Sequence, residues 1–401
     1  MHSPGPEERF LPRCAAHRSD IRAEGIRPYD KNQDAGLEES MPHMKTALAA
    51  ATVLGLSSSP VQADAVAYGI VDLAISMDDG GRNGRSYQAK SGLMSASRLG
   101  FRGQEELGNG FRALFHLELG FAADTGVQNS YAPAGATAPS VGWNRKAYVG
   151  AAHERWGTLL LGRNNTPFFH AAMATDALSF GLYGSNIFLT TLTGSPENVR
   201  IAGNGVYYLS PAWGGLSFNA VATTGAERPT SPRDERRLLG LGVQYERGGL
   251  LLAAAYQSDH VPMPGGAQTG KREDHILGGR YDFGGYSLSA GYAAVKMPTQ
   301  TADRHALWLG GSVSVGRGKI LAQFSQTRSE APAGVKDGKA RSFGLAYTYS
   351  LSRRTTGYLS YGRVWNNATS RLGLQGGSAT VAADAPGADP SGLAVGIRHR
   401  F

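Results

Sequence analysis

The chain has 401 residues, carries 40 Lys/Arg against 32 Asp/Glu for a net charge of +8, and contains 55 glycines but a single cysteine. That lone cysteine, Cys14, excludes a disulfide scaffold. It lies near the N-terminus, within residues 1–43, so thiolate chemistry in the remainder is excluded as well. After Ala63 no apolar run reaches the 18 or so residues that a membrane helix needs, so any membrane crossing must be made by strands.

Residues 1–43 are polar, unpatterned and rich in both charges, and read as an upstream extension without a fold. Met44-Lys45 opens a short basic region. An apolar run from Thr46 to Leu56 follows, and small residues at Val61 and Ala63 precede Asp64. Residues 44–63 therefore read as an export signal, too short to anchor as a helix, with cleavage before Asp64.

From Asp64 onward, segments that alternate apolar and polar residues recur between clusters of turn residues. They predict sixteen strands, near 65–77, 94–104, 111–121, 144–151, 156–163, 203–209, 215–223, 238–247, 249–257, 274–283, 286–296, 304–315, 319–328, 340–350, 355–365 and 391–401. In 111–121, Phe111, Ala113, Phe115, Leu117, Leu119 and Phe121 fall on one face, while Arg112, His116 and Glu118 fall on the other. The last strand puts Leu393, Val395, Ile397 and Phe401 opposite Gly396, Arg398 and Arg400. A strand with lipid on one side and water on the other has this pattern. A bilayer accepts strands only when a closed sheet satisfies every backbone N–H and C=O.

Connections alternate between short turns, such as Glu246-Arg247-Gly248-Gly249 and Leu351-Ser352-Arg353-Arg354, and long loops at 78–93, 122–143, 164–202, 258–273 and 366–390. Aromatics cluster beside the short turns (Trp156, Trp213, Tyr281, Phe283, Tyr286, Tyr347, Phe401), as an interfacial girdle would. The fold class expected is all-β, a 16-stranded antiparallel transmembrane β-barrel over 64–401. Loop 164–202 is too long and too apolar for an idle turn, with Phe168, Phe169, Phe180, Leu182 and Tyr183 among its residues. It is expected to fold into the pore as a constriction.

The segment Ser97-Arg98-Leu99-Gly100-Phe101-Arg102-Gly103-Gln104-Glu105-Glu106-Leu107-Gly108-Asn109-Gly110, followed by Ala113-Leu114-Phe115-His116-Leu117-Glu118, resembles the signature of the Gram-negative trimeric outer-membrane porins. Tyr68-Gly69-Ile70-Val71-Asp72, Asn144-Arg145-Lys146-Ala147-Tyr148-Val149-Gly150 and Leu161-Gly162-Arg163 are similar to its first, fourth and fifth strands. The ending Val395-Gly396-Ile397-Arg398-His399-Arg400-Phe401 resembles a basic, anion-leaning branch.

The resemblance implies a homotrimer in the cell outer membrane, in contact with lipid and lipopolysaccharide. Each subunit would hold a water-filled channel for passive diffusion of ions and small hydrophilic solutes, with anions preferred. Residue by residue it implies that Arg98 and Arg145 form the basic wall of the constriction, with Glu118 as an acidic partner. Asp176 matches an acid on the inward loop, and Arg200 matches a basic residue across the loop's end. Phe401 matches the signal read by the barrel-insertion machinery. Ser179-Phe180-Gly181 stands where strongly acidic loops carry a second acid, which leans the constriction toward anions. Lys146 stands where the family often has an uncharged residue, and the alternation leaves its direction open.

A passive pore needs an aperture and a transverse field, and no cofactor, metal or nucleic-acid partner is implied. Rival readings are a substrate-specific channel or, from another class, a membrane-barrel hydrolase. For the latter, Asp124-Thr125-Gly126 lacks the second copy that a shared-proton carboxylate pair requires. Asp259-His260 and Asp274-His275 fall on loop rims, and no H-E-x-x-H spacing occurs.

Overall fold

The computed structural model describes residues 64–128, 142–186, 189, 200–225, 234–263, 268–298 and 303–401. The upstream extension and the export signal expected over 1–63 lie outside the described residues.

The strands form one closed antiparallel sheet. In chain order its members are β1 (Asp64–Asp79), β2 (Arg85–Ser91), β3 (Arg98–Gly108), β4 (Phe111–Gly120), β5 (Lys146–His153), β6 (Gly157–Asn165), β7 (Ile201–Leu209), β8 (Leu216–Thr223) and β9 (Leu238–Arg247). They continue with β10 (Leu250–Pro262), β11 (Thr269–Asp282), β12 (Tyr286–Lys296), β13 (Arg304–Val315), β14 (Gly318–Ser329), β15 (Gly338–Ser350), β16 (Thr355–Asn366) and β19 (Ser391–Arg400). The hairpin β17 (Leu374–Gly376) and β18 (Ala379–Val381) stands apart from that sheet, within the last long loop.

Seventeen segments make sixteen staves, because β2 and β3 are two halves of one. Leu73–Asp79 of β1 pairs with β2, and Asp64–Ile70 pairs with β3, with residues 92–97 departing from the ladder between them. The other side of β1 pairs with β19 from Ile70↔Arg400 to Asp79↔Ser391. Beyond that register Gly69 and Phe401 exchange N–H···O bonds of 3.0 and 3.1 Å, so the first and last staves close the barrel. Every stave then has two partners, which is what a bilayer demands of strands.

Two expected loops are corrected. The stretch 78–93 is mostly strand, turning at residues 80–84 and returning as β2, and the next ladder begins at Arg98 and not at residue 94. The stretch 258–273 continues the β10–β11 ladder out to Pro262↔Thr269. In both places the alternation of apolar residues disappears, although the backbone ladder continues.

Outward positions form an apolar belt that includes Ile75, Val149, Leu161, Leu277, Leu309 and Val395, all exposed. Trp156, Trp213, Phe283, Tyr286 and Phe401 stand exposed at the short-turn end. A protein in water would not leave such a belt uncovered, whereas lipid and its interface cover it.

The inside is unevenly filled. Helix α1 (Pro167–Ala174) starts at Thr166, whose hydroxyl accepts from the Phe169 N–H at 3.2 Å, with Pro167 in the first turn. Phe168, Phe169, Ala171 and Ala172 bury against Leu251, Ala253, Ile276 and Trp308 of the wall. The loop then crosses the interior, where Leu178, Leu182 and Tyr183 pack with Leu93, Tyr358, Leu374 and Val381. The long loop is thus folded inward as expected, and it fills the sides formed by β8–β16, β19 and β1.

Candidate functional site

The wall of β3, β4 and β5 carries charge where the other walls carry packed loop. Alternation turns Phe101, Phe115 and Val149 to the exposed outer face. It turns Arg98, Gly100 and Arg102 of β3, His116 and Glu118 of β4, and Lys146 and Tyr148 of β5 inward. Lateral register lines them up: Tyr68, Gly100, Glu118 and Lys146 form one row, and Arg102, His116 and Tyr148 form the next.

Glu118 is the hub. Its Oε1 receives Arg145 Nε at 2.7 Å and lies 3.9 Å from Arg98 Nη1, and its Oε2 receives the Tyr68 hydroxyl at 2.6 Å. The Tyr68 ring crosses Gly100 so closely that a Cβ there would sit 2.5 Å from Tyr68 Cζ, so a side chain at 100 would evict it. Arg102 stacks on the other side of the network, its guanidinium carbon 5.4 Å from the Tyr68 ring centre. His116 touches both Tyr68 and Tyr148, at 2.5 and 3.1 Å. Arg145 is nearly buried and braces the carboxylate, while the Arg98 side chain keeps 22% of its surface exposed. Four cations, Arg98, Arg102, Arg145 and Lys146, surround one carboxylate. Narrow clefts with low-dielectric walls focus the field of such an excess.

Arg98, Arg145 and Glu118 are therefore brought together. Arg102 was not singled out from sequence, although its spacing of four from Arg98 puts both on one strand face. The ladder opposite Glu118 answers the open direction of Lys146. Arg145 reaches the same face by a different route. It precedes the first residue of β5, and its N–H bonds the Glu118 carbonyl at 3.1 Å, so strand alternation does not govern it.

The other two residues stand elsewhere. Asp176 lies on the inward loop, but its carboxylate is not presented to water. It is buried and accepts from the N–H groups of Leu178, Phe180 and Asn186 at 2.8, 2.9 and 2.8 Å, closing the loop on itself. Burial pushes its carboxyl up to about 7, against the opposite pull of those donors. Asp176 thus sits on the inward loop as expected, but its carboxylate is taken up by the loop's own backbone and does not serve as an acid of the constriction. Arg200 stands at the base of the loop. Its carbonyl accepts from Thr166 N–H at 3.0 Å, and its guanidinium lies 5.3 Å from the Phe169 ring centre.

What holds the loop was not read from the sequence. Trp308 Nε1 donates to the Thr175 carbonyl at 3.1 Å, Gln323 Oε1 accepts from Ala177 N–H at 3.1 Å, and Ser360 Oγ accepts from Tyr183 N–H at 2.9 Å. Gly344, Gly362 and Gly392 sit side by side on β15, β16 and β19, and Tyr183 lies across all three. A Cβ at Gly362 would meet Tyr183 Cβ at 2.7 Å, and one at Gly392 would meet its ring at 2.8 Å. The Tyr183 hydroxyl then reaches Asp78 Oδ1 at 2.8 Å, and Asp78 Oδ2 pairs with Lys90 Nζ at 2.5 Å.

A model of the Gram-negative porin family matches residues 48–369. The chain belongs to the Gram-negative porin family. Among its relatives, outer membrane porin protein 32 of Delftia acidovorans is 29% identical over 89% of this chain and all of that protein. An outer membrane porin of Bordetella pertussis is 26% identical over the same shares. The solved anion-selective porin of Comamonas acidovorans superposes with a TM-score of 0.74 at 26% identity, covering 85% of this chain and all of that one. This porin is accordingly a barrel of the Gram-negative outer membrane, and passive diffusion through its interior is its function.

The residues weighed for hydrolysis have other places in the porin. Asp259 and Asp274 are buried and lie 3.6 and 3.1 Å from Arg272. The ring of His275, next in sequence to Asp274, lies 5.0 Å from that of the outward Tyr256, so the two neighbours point to opposite faces.

Proposed function

We propose that this porin is an anion-preferring general diffusion channel whose preference is set by the β3–β5 wall. The observation that carries the reading is the cluster of Arg98, Arg102, Arg145 and Lys146 around the single carboxylate Glu118, with Asp176 turned away from the water. Similarity to a porin described as anion-selective supports it. A focused field acting on the order of 1 kcal/mol gives a several-fold preference, not exclusion, since about 1.4 kcal/mol corresponds to tenfold. Nothing in this wall is built for one solute. Its one carboxylate is taken up by Arg145, Arg98 and Tyr68, which favours the general channel over a substrate-specific one.

The functional unit in this reading is a homotrimer with one channel per subunit, in contact with lipid and lipopolysaccharide. Phe401 acts as the signal for the barrel-insertion machinery. Support for the last point is the position of Phe401, exposed at the closing seam and bonded to Gly69. The test of function is the reversal potential of the purified protein in planar bilayers under a dilute potassium chloride gradient. A chloride-over-potassium preference is expected that shrinks at 1 M salt, where the Debye length is about 3 Å. A cation preference would overturn the reading.

A further inference from the structure

At the short-turn end, on the opposite side of the β1 seam from the constriction wall, five guanidiniums converge. Arg317 comes from the β13–β14 turn, Arg353 and Arg354 from the β15–β16 turn, and Arg398 and Arg400 from β19. They line one cavity of about 600 Å³, open to solvent, whose remaining lining is Ser350, Ser352 and Thr356. No carboxylate lines it, and among the described residues none of the five arginines makes an ion pair. The nearest acid in the ladder, Asp72, lies opposite Arg398 but is occupied by the Tyr358 hydroxyl at 2.6 Å and the Ser95 N–H at 2.8 Å.

Arg317 and Arg398 are held in place by neutral groups. Arg317 donates to the Leu351 carbonyl at 2.9 Å and rests on the Tyr349 ring at 5.5 Å. Arg398 donates to Ser95 Oγ at 3.0 Å and to Thr356 Oγ1 at 3.4 Å, while its buried Nε has no acceptor. Five like charges gathered around one volume repel each other unless an anion enters. Guanidinium forks match the paired oxygens of carboxylate and phosphate.

We infer that this arginine-lined bay at the short-turn mouth is a binding site for small multivalent oxyanions, either phosphate-type or polycarboxylate, separate from the constriction. The inference stands on the barrel and its rim, not on the ion preference proposed above. A monovalent anion leaves most of the bay's charge uncompensated, whereas two or three acid groups on one small molecule bridge several forks at once. With Ser350, Ser352 and Thr356 as the only other lining residues, the bay offers no large apolar side chain to an aromatic or lipid-like ligand.

The test is titration calorimetry of the full-length barrel in detergent with inorganic pyrophosphate, with citrate as the carboxylate arm and acetate as the monovalent control. Saturable binding of pyrophosphate, citrate or both is expected at low salt, with none for acetate. The double variant R353Q/R354Q should bind roughly tenfold more weakly, through loss of two charge-assisted contacts. R98Q/R145Q should bind as the parent does. Retained heat-modifiable mobility checks that each variant is folded, and R400Q gives a second reading of the bay. Binding by neither multivalent anion overturns the inference. So does binding that survives R353Q/R354Q and R400Q but is lost in R98Q/R145Q, because the constriction would then be the site.

Discussion

Two walls of this barrel use the same residue types to opposite ends. On the β3–β5 wall, Arg, Lys, Tyr and Glu face the open side, and one carboxylate leaves the cations in excess. On the wall of β16, β19, β1 and β2, at the level of the loop, Lys90, Asp78, Tyr183 and Ser360 are consumed in fixing it. Each wall has a buried ion pair, Glu118–Arg145 and Asp78–Lys90; the difference lies in the further cations Arg98 and Arg102, which stay partly exposed beside the first. A charge kept in water at the edge of a cleft projects a field, whereas a charge taken out of water must be matched locally or it destabilises the fold. Counting charges in the interior would therefore misjudge the pore, since Asp72, Asp78 and Asp176 are all interior acids that are already satisfied.

The comparison breaks most visibly at the anchoring wall. Lys90→Met leaves Asp78 buried beside Tyr183 without its cation, and should cost about 3–5 kcal/mol. The check is the temperature at which the folded band is lost on electrophoresis. Adding Asp78→Asn to Lys90→Met should return most of that loss, because a neutral pair needs no counter-charge. Next comes Gly362→Val, which forces Tyr183 off the glycine row. Overpacking of this kind should cost about 1–3 kcal/mol, and single-channel records should show added open-channel noise as the loop tip loosens. Asp176→Asn is smallest. It leaves one of three loop N–H groups poorly satisfied, at about 1 kcal/mol by thermal unfolding. Ion preference should stay unchanged, since that carboxylate does not face the channel.

The barrel was legible in the sequence because lipid imposes strict alternation, and a period of two survives any choice of apolar residue. Two strand segments were not legible, β2 and the outer β10–β11 ladder, because their residues do not alternate apolar with polar. Within the site, Arg98 and Glu118 could be read from strand parity as well as from the resemblance. Arg145 could be read from the resemblance alone, since its direction is set by an irregular approach to β5. Asp176 was legible as a loop residue but not as a buried one. No local pattern announces that a carboxylate will be capped by backbone N–H groups two, four and ten residues onward. The Gly344–Gly362–Gly392 row escapes a linear reading for the same reason: it exists only once three strands are in register.

The measurement that bears most directly on the role of the β3–β5 wall is the reversal potential of R98Q/R145Q under a dilute potassium chloride gradient, recorded beside the parent and Asp176→Asn. The parent should prefer chloride, Asp176→Asn should match it, and R98Q/R145Q should shift several-fold toward potassium. An unchanged reversal potential in R98Q/R145Q, or a shift confined to Asp176→Asn, would contradict the account.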